Sequence, residues 1–414
     1  MDMSWVPGAA GSLYDIDNLP YGVISHGSES PRVAVRIGDF ALDIAPVAAF
    51  SGEPGDAPHL AQAWQAPSLN PFLALGPEAW QIGREWLVEI LTDDVHQVRV
   101  EPHLHRLHDV RTHLPIEVGD YVDFYASIDH ATNLGRIMRP ESEPLLPNWR
   151  HLPVGYHGRS GTIVSSGTPV VRPSGQRKAP GDDAPTYGPS ARLDIEAELG
   201  FVVGVPSSLG DRISTADFRE HVFGAFLLND WSARDIQGWE GQPLGPFLGK
   251  SFATSIAPWI TPLDALDAAR VDLPGQDPAP LDYLRADGPA GYDIDLAVEW
   301  NGTVVARPPY SAMYWSPSQM LAHLTAGGAS VRTGDVYASG TISGPERDQL
   351  GSFVELSRAA TEPITLSDGS TRTFLADGDE VVITATAPGA NAKRIGLAEV
   401  RAAVTPARSQ GPHP

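Results

Sequence analysis

Leu193-Asp194-Ile195-Glu196-Ala197-Glu198-Leu199 alternates without interruption between apolar and acidic side chains. A period of two belongs to a β-strand, in which successive side chains point to opposite faces. The segment therefore predicts a strand with Asp194, Glu196 and Glu198 on one face and Leu193, Ile195, Ala197 and Leu199 on the other. Carboxylates side by side repel one another. A solvent-exposed strand tolerates the repulsion, and a divalent cation neutralises it; this segment alone leaves both readings open.

On either side lie further short apolar runs bounded by Gly and Pro, at 118–127, 161–171, 224–228, 294–300, 303–306 and 380–387, with the alternating stretch itself extending over 193–205. That spacing predicts a large, mainly antiparallel β domain rather than an alternating parallel α/β sheet. Nearer the N-terminus, runs at 21–24, 33–37 and 40–44 around a Gly38-Asp39 turn predict a small β module. Residues 77–91 repeat apolar side chains at helical spacing after Gly76-Pro77, and shorter helices are expected at 215–221 and 316–324. The expected fold class is mainly β (α+β). The expected division is an N-terminal β domain over 1–115, a C-terminal domain over 116–404 and a flexible tail over 405–414. The Pro-, Gly- and Asp-rich stretch 173–189 reads as a functional loop or lid.

Composition narrows the chemistry. The chain has 414 residues, and 51 acidic against 29 basic side chains give a net charge of -22, which argues against binding nucleic acid or an anionic membrane surface. Cysteine is absent, so disulfides, thiolate nucleophiles and thiolate zinc sites are excluded. Any metal must sit on oxygen or imidazole, and a hard cation, Mg²⁺ or Ca²⁺, suits a carboxylate set. Met1-Asp2-Met3-Ser4-Trp5 has no basic and apolar leader and no long apolar run follows, so a cytoplasmic protein that does not enter membranes is expected. Of three lysines, Lys178, Lys250 and Lys393, Lys250 lies in the apolar loop Gly245-Pro246-Phe247-Leu248-Gly249-Lys250-Ser251, where it suits charge stabilisation in a site. Three residues between those glycines, one a proline, exclude a phosphate-binding loop.

Two more segments offer carboxylates. Asp230 ends the apolar run 224–228 with Asn229 between, and Asp123 lies two residues before Tyr125, which puts both on one side of a strand. Each aspartate alone could cap a turn; with Glu196 and Glu198 they outline a four-carboxylate site. His130, seven residues beyond Asp123, is a candidate general base. The run from His103 to His108 matches no standard zinc spacing and reads as a solvated linker. Arg234 and Gln237, at i and i+3, share a helical face that could hold an oxyanion. Gly340-Thr341-Ile342-Ser343-Gly344-Pro345 offers N-H groups and two hydroxyls suited to a carboxylate, and it does not form a serine nucleophile elbow.

The runs 120–125 (DYVDFY), 130–133 (HATN), 151–159 (HLPVGYHGR), 229–237 (NDWSARDIQ), 243–252 (PLGPFLGKSF) and 338–346 (ASGTISGPE), with 18–23 (NLPYGV), closely resemble the fumarylacetoacetase (fumarylacetoacetate hydrolase) family over nearly the whole chain. The resemblance implies a homodimer with a small N-terminal SH3-like β barrel and a C-terminal β-roll. It implies hydrolysis of a carbon-carbon bond in 4-fumarylacetoacetate, giving fumarate and acetoacetate, the last step of tyrosine and phenylalanine degradation. By the same resemblance Asp123, Glu196, Glu198 and Asp230 hold the metal, with Lys250 and Thr254 near it, and Asp194 is not a ligand. His130 is implied as the catalytic base oriented by Glu355, with Arg234, Gln237 and Lys250 stabilising an oxyanion. Tyr125, Arg139, Tyr156, Gln237 and Thr341 are the implied substrate contacts. At one position the chain departs: Gly241 stands where the family has a substrate-contacting tyrosine. That departure motivates a related diketo-acid hydrolase of acylpyruvate type as an alternative. A non-catalytic cation-binding protein is an alternative of another class.

Overall fold

The computed structural model describes residues 4–51, 59–179 and 181–408. Among these, strands dominate. The largest sheet has 13 strands, and its main path runs Leu104–Arg106, Phe40–Asp43, Arg32–Ile37, Tyr21–His26, Trp259–Pro262, Val222–Asp230, Ala197–Val203, Val336–Ala338, Tyr121–Phe124 and Gly155–His157. Its pairings are mainly antiparallel as expected, with parallel exceptions such as Val336–Ala338 beside Tyr121–Phe124. A second sheet of five strands orders Thr303–Ala306, Asp295–Trp300, Glu380–Pro388, Arg394–Thr405 and Val170–Val171.

Val222–Asp230 is buried along its whole length, which explains its continuous apolar text. Ala197–Val203 lies on one side of it, and Thr254–Ile256 and Trp259–Pro262 pair on the other. Gly224 is needed for that closeness: a Cβ there would sit 2.4 Å from the Thr261 carbonyl oxygen.

The N-terminal strands form where the apolar runs predicted them. Among the described residues Leu104–Arg106 and Val110–Thr112 do not pair with each other, so these strands do not close an SH3-like barrel. Tyr21 and Gly22 instead pair with Ile260 and Trp259, which joins the module edge to edge with the central sheet.

Several expectations change in detail. The strand read over 193–199 is interrupted: Leu193–Asp194 pairs with Ser232–Ala233, and the ladder resumes at Ala197 opposite Asn229. Both of its faces are buried, so the solvent-exposed reading fails. The helix expected at 215–221 shortens to Phe218–His221 because a Ser214–Asp217 turn, closed by the Ser214 hydroxyl on the Asp217 carboxylate at 2.6 Å, occupies its start. Pro77–Thr92 and Pro317–Thr325 are helices as expected, the second with a capping box from Ser316 and Gln319. The helix Ile128–Met138 and the strand Arg394–Thr405 were not anticipated.

The 173–189 stretch is a hairpin, Ser174–Arg177 against Thr186–Pro189. It is strapped to the helix Arg234–Glu240 by Trp239, whose indole N-H donates to Gln176 at 3.1 Å. The histidine-rich stretch supplies the edge strand Leu104–Arg106, with His105 stacked on His26 at 4.4 Å. Of the expected tail, Thr405 ends a strand and 409–414 lie outside the described residues. No described helix is long and apolar enough to cross a membrane.

Candidate active site and metal centre

Three strands converge on the carboxylates. Asp123 comes from Tyr121–Phe124, Glu198 from Ala197–Val203 with Glu196 just before it, and Asp230 from the end of Val222–Asp230. Asp123, Glu196, Glu198 and Asp230 are all buried, and each offers an oxygen within 4.8 Å of the others. Lys250 Nζ donates to Asp230 at 2.6 Å and reaches Glu196 at 2.7 Å. Thr254 and Tyr156 hydroxyls donate to the two Asp230 oxygens at 3.1 and 3.0 Å.

Charge decides how the cluster behaves. Two cations, Lys250 and Arg234, contact it against four carboxylates, which leaves two negative charges uncompensated if all four ionise. Burial opposes ionisation of Glu196, but Lys250 and Arg234 outweigh it and hold that carboxyl below its ordinary range. Burial and the Asp230 charge push Asp123 well above the carboxylate range; burial and Asp123 do the same to Glu198. Burial raises Asp230 too, partly offset by Lys250. Asp123 Oδ1 and Glu198 Oε1 are buried without a hydrogen-bond partner. Orphaned acceptors in a set of hard oxygen donors fit a divalent cation, since a buried carboxylate oxygen left unpaired is otherwise costly.

Beside the cluster, the Ser127 hydroxyl caps the helix Ile128–Met138 by accepting the His130 N-H. His130 Nδ1 lies 2.6 Å from Glu355 Oε2. Glu355 also accepts from Asn133 at 3.0 Å, Ser343 at 3.0 Å and Ser352 at 2.7 Å. Burial works against its charge, but His130 and these donors prevail and its carboxyl is held below the ordinary value. An ionised Glu355 fixes the imidazole with Nδ1-H as donor and the lone pair on Nε2. Gly135 lets this helix pass the following loop, because a Cβ there would lie 2.0 Å from the Pro144 carbonyl oxygen. Gly135→Ala is expected to cost about 2 kcal/mol by overpacking, read in urea unfolding as a lower midpoint at unchanged slope.

Arg234 opens the helix Arg234–Glu240 and is forked: Nε donates to Asp194 at 2.8 Å and Nη1 to Glu196 at 2.6 Å and Gln237 at 3.3 Å. Its Nη2 is buried and unpartnered, as is Thr341 Oγ1. Two donors without acceptors beside a carboxylate cluster are available to a substrate oxygen.

A family model described as fumarylacetoacetate (FAA) hydrolase, C-terminal, matches residues 121–405, and one described as fumarylacetoacetase, N-terminal, matches 17–115. The chain belongs to the fumarylacetoacetate hydrolase family. Fumarylacetoacetase of Homo sapiens is 44% identical over 417 residues, covering 98% of this chain and 99% of that protein. Fumarylacetoacetase of Oryza sativa subsp. japonica is 44% identical over 401 residues, covering 93% of each. Among solved structures, the fumarylacetoacetate hydrolase of psychrophilic Exiguobacterium antarcticum shares the fold at a TM-score of 0.55 and 18% identity, covering 94% of this chain and all of that one.

The family's C-terminal match spans every residue singled out above, from Asp123 to Glu355. Most of the expected set is brought together. Tyr125 lies edge-on to His130, ring centroids 5.3 Å apart, and burial with the Glu355 charge raises its hydroxyl above the ordinary range. Arg139 is more distant: exposed at the helix C-cap, it donates to the Pro144 carbonyl at 2.9 Å, and its charge is felt at Tyr125. Asp194 stands outside the carboxylate cluster, engaged by Arg234. Gly241 closes the helix Arg234–Glu240, its N-H donating to the Gln237 carbonyl at 2.9 Å. Asn133, Ser343 and Ser352 were not anticipated as supports of Glu355. Asn133 was legible, because i and i+3 on a helix put it on the face of His130. The Gly340–Pro345 loop does offer a hydroxyl to a carboxylate, and the one its Ser343 holds is the protein's own Glu355.

Proposed function

We propose that the chain hydrolyses 4-fumarylacetoacetate to fumarate and acetoacetate, the closing step of tyrosine and phenylalanine degradation. The observation that carries this is the juxtaposition of a buried four-carboxylate cluster with the His130–Glu355 pair and an unpartnered Arg234 Nη2. Asp123, Glu196, Glu198 and Asp230 would hold a divalent cation, Mg²⁺ or Ca²⁺, which supplies Lewis-acid polarisation of the diketo oxygens when bound.

His130 Nε2 takes a proton from water as its oxygen attacks the ketone carbonyl carbon of the fumaryl group, the one bonded to the alkene. Glu355 stabilises the imidazolium that results. The alkoxide is received by Arg234 Nη2, with Gln237 and Lys250 adding dipole and charge. Collapse breaks the carbon-carbon bond: the pair of electrons leaves with the acetoacetate half as an enolate, which takes the proton held by the His130 imidazolium, and the new carboxyl of the other half ionises to give fumarate. Tyr125, Tyr156, Arg139 and Thr341 would orient the dianionic substrate, Thr341 through its free hydroxyl.

The family resemblance also supports a cytoplasmic homodimer and a C-terminal β-roll, and the matches over 17–115 and 121–405 support a division near residue 115. Gly241 favours one second reading, an acylpyruvate-type hydrolase with a roomier site. A panel of diketo acids followed by loss of ultraviolet absorbance separates the two. The expected result is highest kcat/KM on 4-fumarylacetoacetate, by about tenfold or more, the scale of one substrate contact. Faster turnover of acylpyruvates would overturn the choice.

A further inference from the structure

Asp194 is a buried carboxylate of the alternating stretch to which the mechanism above gives no task. We propose that it is a positioning residue that locks the oxyanion donor and the orienter of the base into one frame. Asp194 is 0% exposed. Its Oδ2 accepts from Arg234 Nε at 2.8 Å and from the Val354 N-H at 3.1 Å. Its Oδ1 accepts from the Phe353 and Ile195 N-H groups, each at 2.8 Å.

Phe353 and Val354 open the short helix Phe353–Leu356, which carries Glu355. One carboxylate therefore grips the guanidinium from one side and, from the other, the backbone on which the partner of His130 is mounted. Asp194 and Glu196 hold separate arms of the guanidinium, so its orientation, and with it the aim of the free Nη2, is fixed in two places. Loss of either hold lets the donor swing away from the position where charge develops. The inference rests on the roles proposed above for Arg234 and Glu355.

The test compares Asp194→Asn and Asp194→Glu with wild type in steady-state kinetics, thermal unfolding and calorimetric titration with Mg²⁺ alone. An amide has one acceptor oxygen where four donors converge, so either orientation of Asn turns its NH₂ against two N-H groups. Glu keeps the charge, which guards the fold, but is one methylene too long for a site without free space. The expected result is kcat lower by about 100-fold for Asn and about tenfold for Glu, with KM and Mg²⁺ affinity within about threefold of wild type, because Asp194 is outside the carboxylate cluster and acts through Arg234, whose free arm meets the charge that develops in the transition state. Wild-type kcat in either folded variant overturns the proposal, as does a loss of Mg²⁺ affinity that matches the loss of kcat. Wild-type turnover is measured first: its absence sinks the hydrolase reading, whereas active wild type with unaffected variants sinks the Asp194 assignment alone.

Discussion

Replacing His130 by Ala is expected to lower kcat on 4-fumarylacetoacetate by about 1000-fold, the scale of losing a positioned general base. The Mg²⁺ affinity should stay near the wild-type value. Two features set these expectations. His130 is buried against Glu355 at 2.6 Å, so no mobile surface group can take its place. It also belongs to a helix separate from the strands that deliver the carboxylate cluster, so removing it takes away no ligand. The orphaned Glu355 keeps Asn133, Ser343 and Ser352, which limits the folding cost to about 1–3 kcal/mol. Single-turnover kinetics beside a Mg²⁺ titration check the prediction. Activity within tenfold of wild type would remove His130 from the role of base.

Stripping divalent cations with EDTA should abolish turnover and also reverse how stability depends on pH. Asp123 and Glu198 are the origin of the second effect, because burial raises both carboxyls in the cation-free protein, reinforced by the Asp230 charge at Asp123 and by the Asp123 charge at Glu198. An acid whose pKa is higher folded than unfolded binds more protons in the native state. Its stabilising share is therefore complete below the unfolded value, about pH 4, and is lost as pH rises through the folded one. The cation-free protein should accordingly lose melting temperature as pH rises above the unfolded carboxyl value of about 4, and a cation should restore most at the alkaline end, where it replaces the missing protons. Binding at neutral pH should release protons, seen as a buffer-dependent heat in calorimetry. A cation that raises the melting temperature but leaves turnover unchanged would favour the non-catalytic cation-binding reading. A cation-free melting temperature that rises steadily with pH would contradict the proton-holding assignment of Asp123 and Glu198.

How much of this the sequence reveals depends on distance along the chain. Alternation at 193–199 and the apolar run ending at Asp230 show strands carrying acids into a core, because charge in such text demands a reason. Asp123 is legible through its spacing to Tyr125. Composition narrows the ligands open to any metal, since without cysteine only oxygen and imidazole remain. What periodicity does not convey is pairing between distant segments. His130 and Glu355 are 225 positions apart, and nothing local in Gly351-Ser352-Phe353-Val354-Glu355 marks the glutamate; the family resemblance supplied it. Asp194 shares a face with Glu196, as the period requires, yet beside the adjacent Ile195 N-H an arginine and two distant backbone N-H groups claim it, and those distant partners lie 40, 159 and 160 positions away. The strand Arg394–Thr405 escapes because Ala, Leu, Glu and Arg favour helices, and its neighbours in the sheet override that preference.

The edge-to-edge joint of Tyr21 and Gly22 with Ile260 and Trp259 bears on how the molecule is made. A chain synthesised from its N-terminus completes Tyr21–His26 long before the strand that covers its edge. Until residue 262 has emerged, a run of bare N-H and C=O groups waits for a partner more than 200 positions downstream, while Val110–Thr112 shields only the far end, from Ile24 onward. Long-range pairing of this kind forms slowly and leaves a template for mispairing in the meantime. Shortened versions lacking the segment around Trp259–Pro262 would keep that edge bare permanently, so the yield of soluble chain should depend on a strand that touches none of the reacting groups.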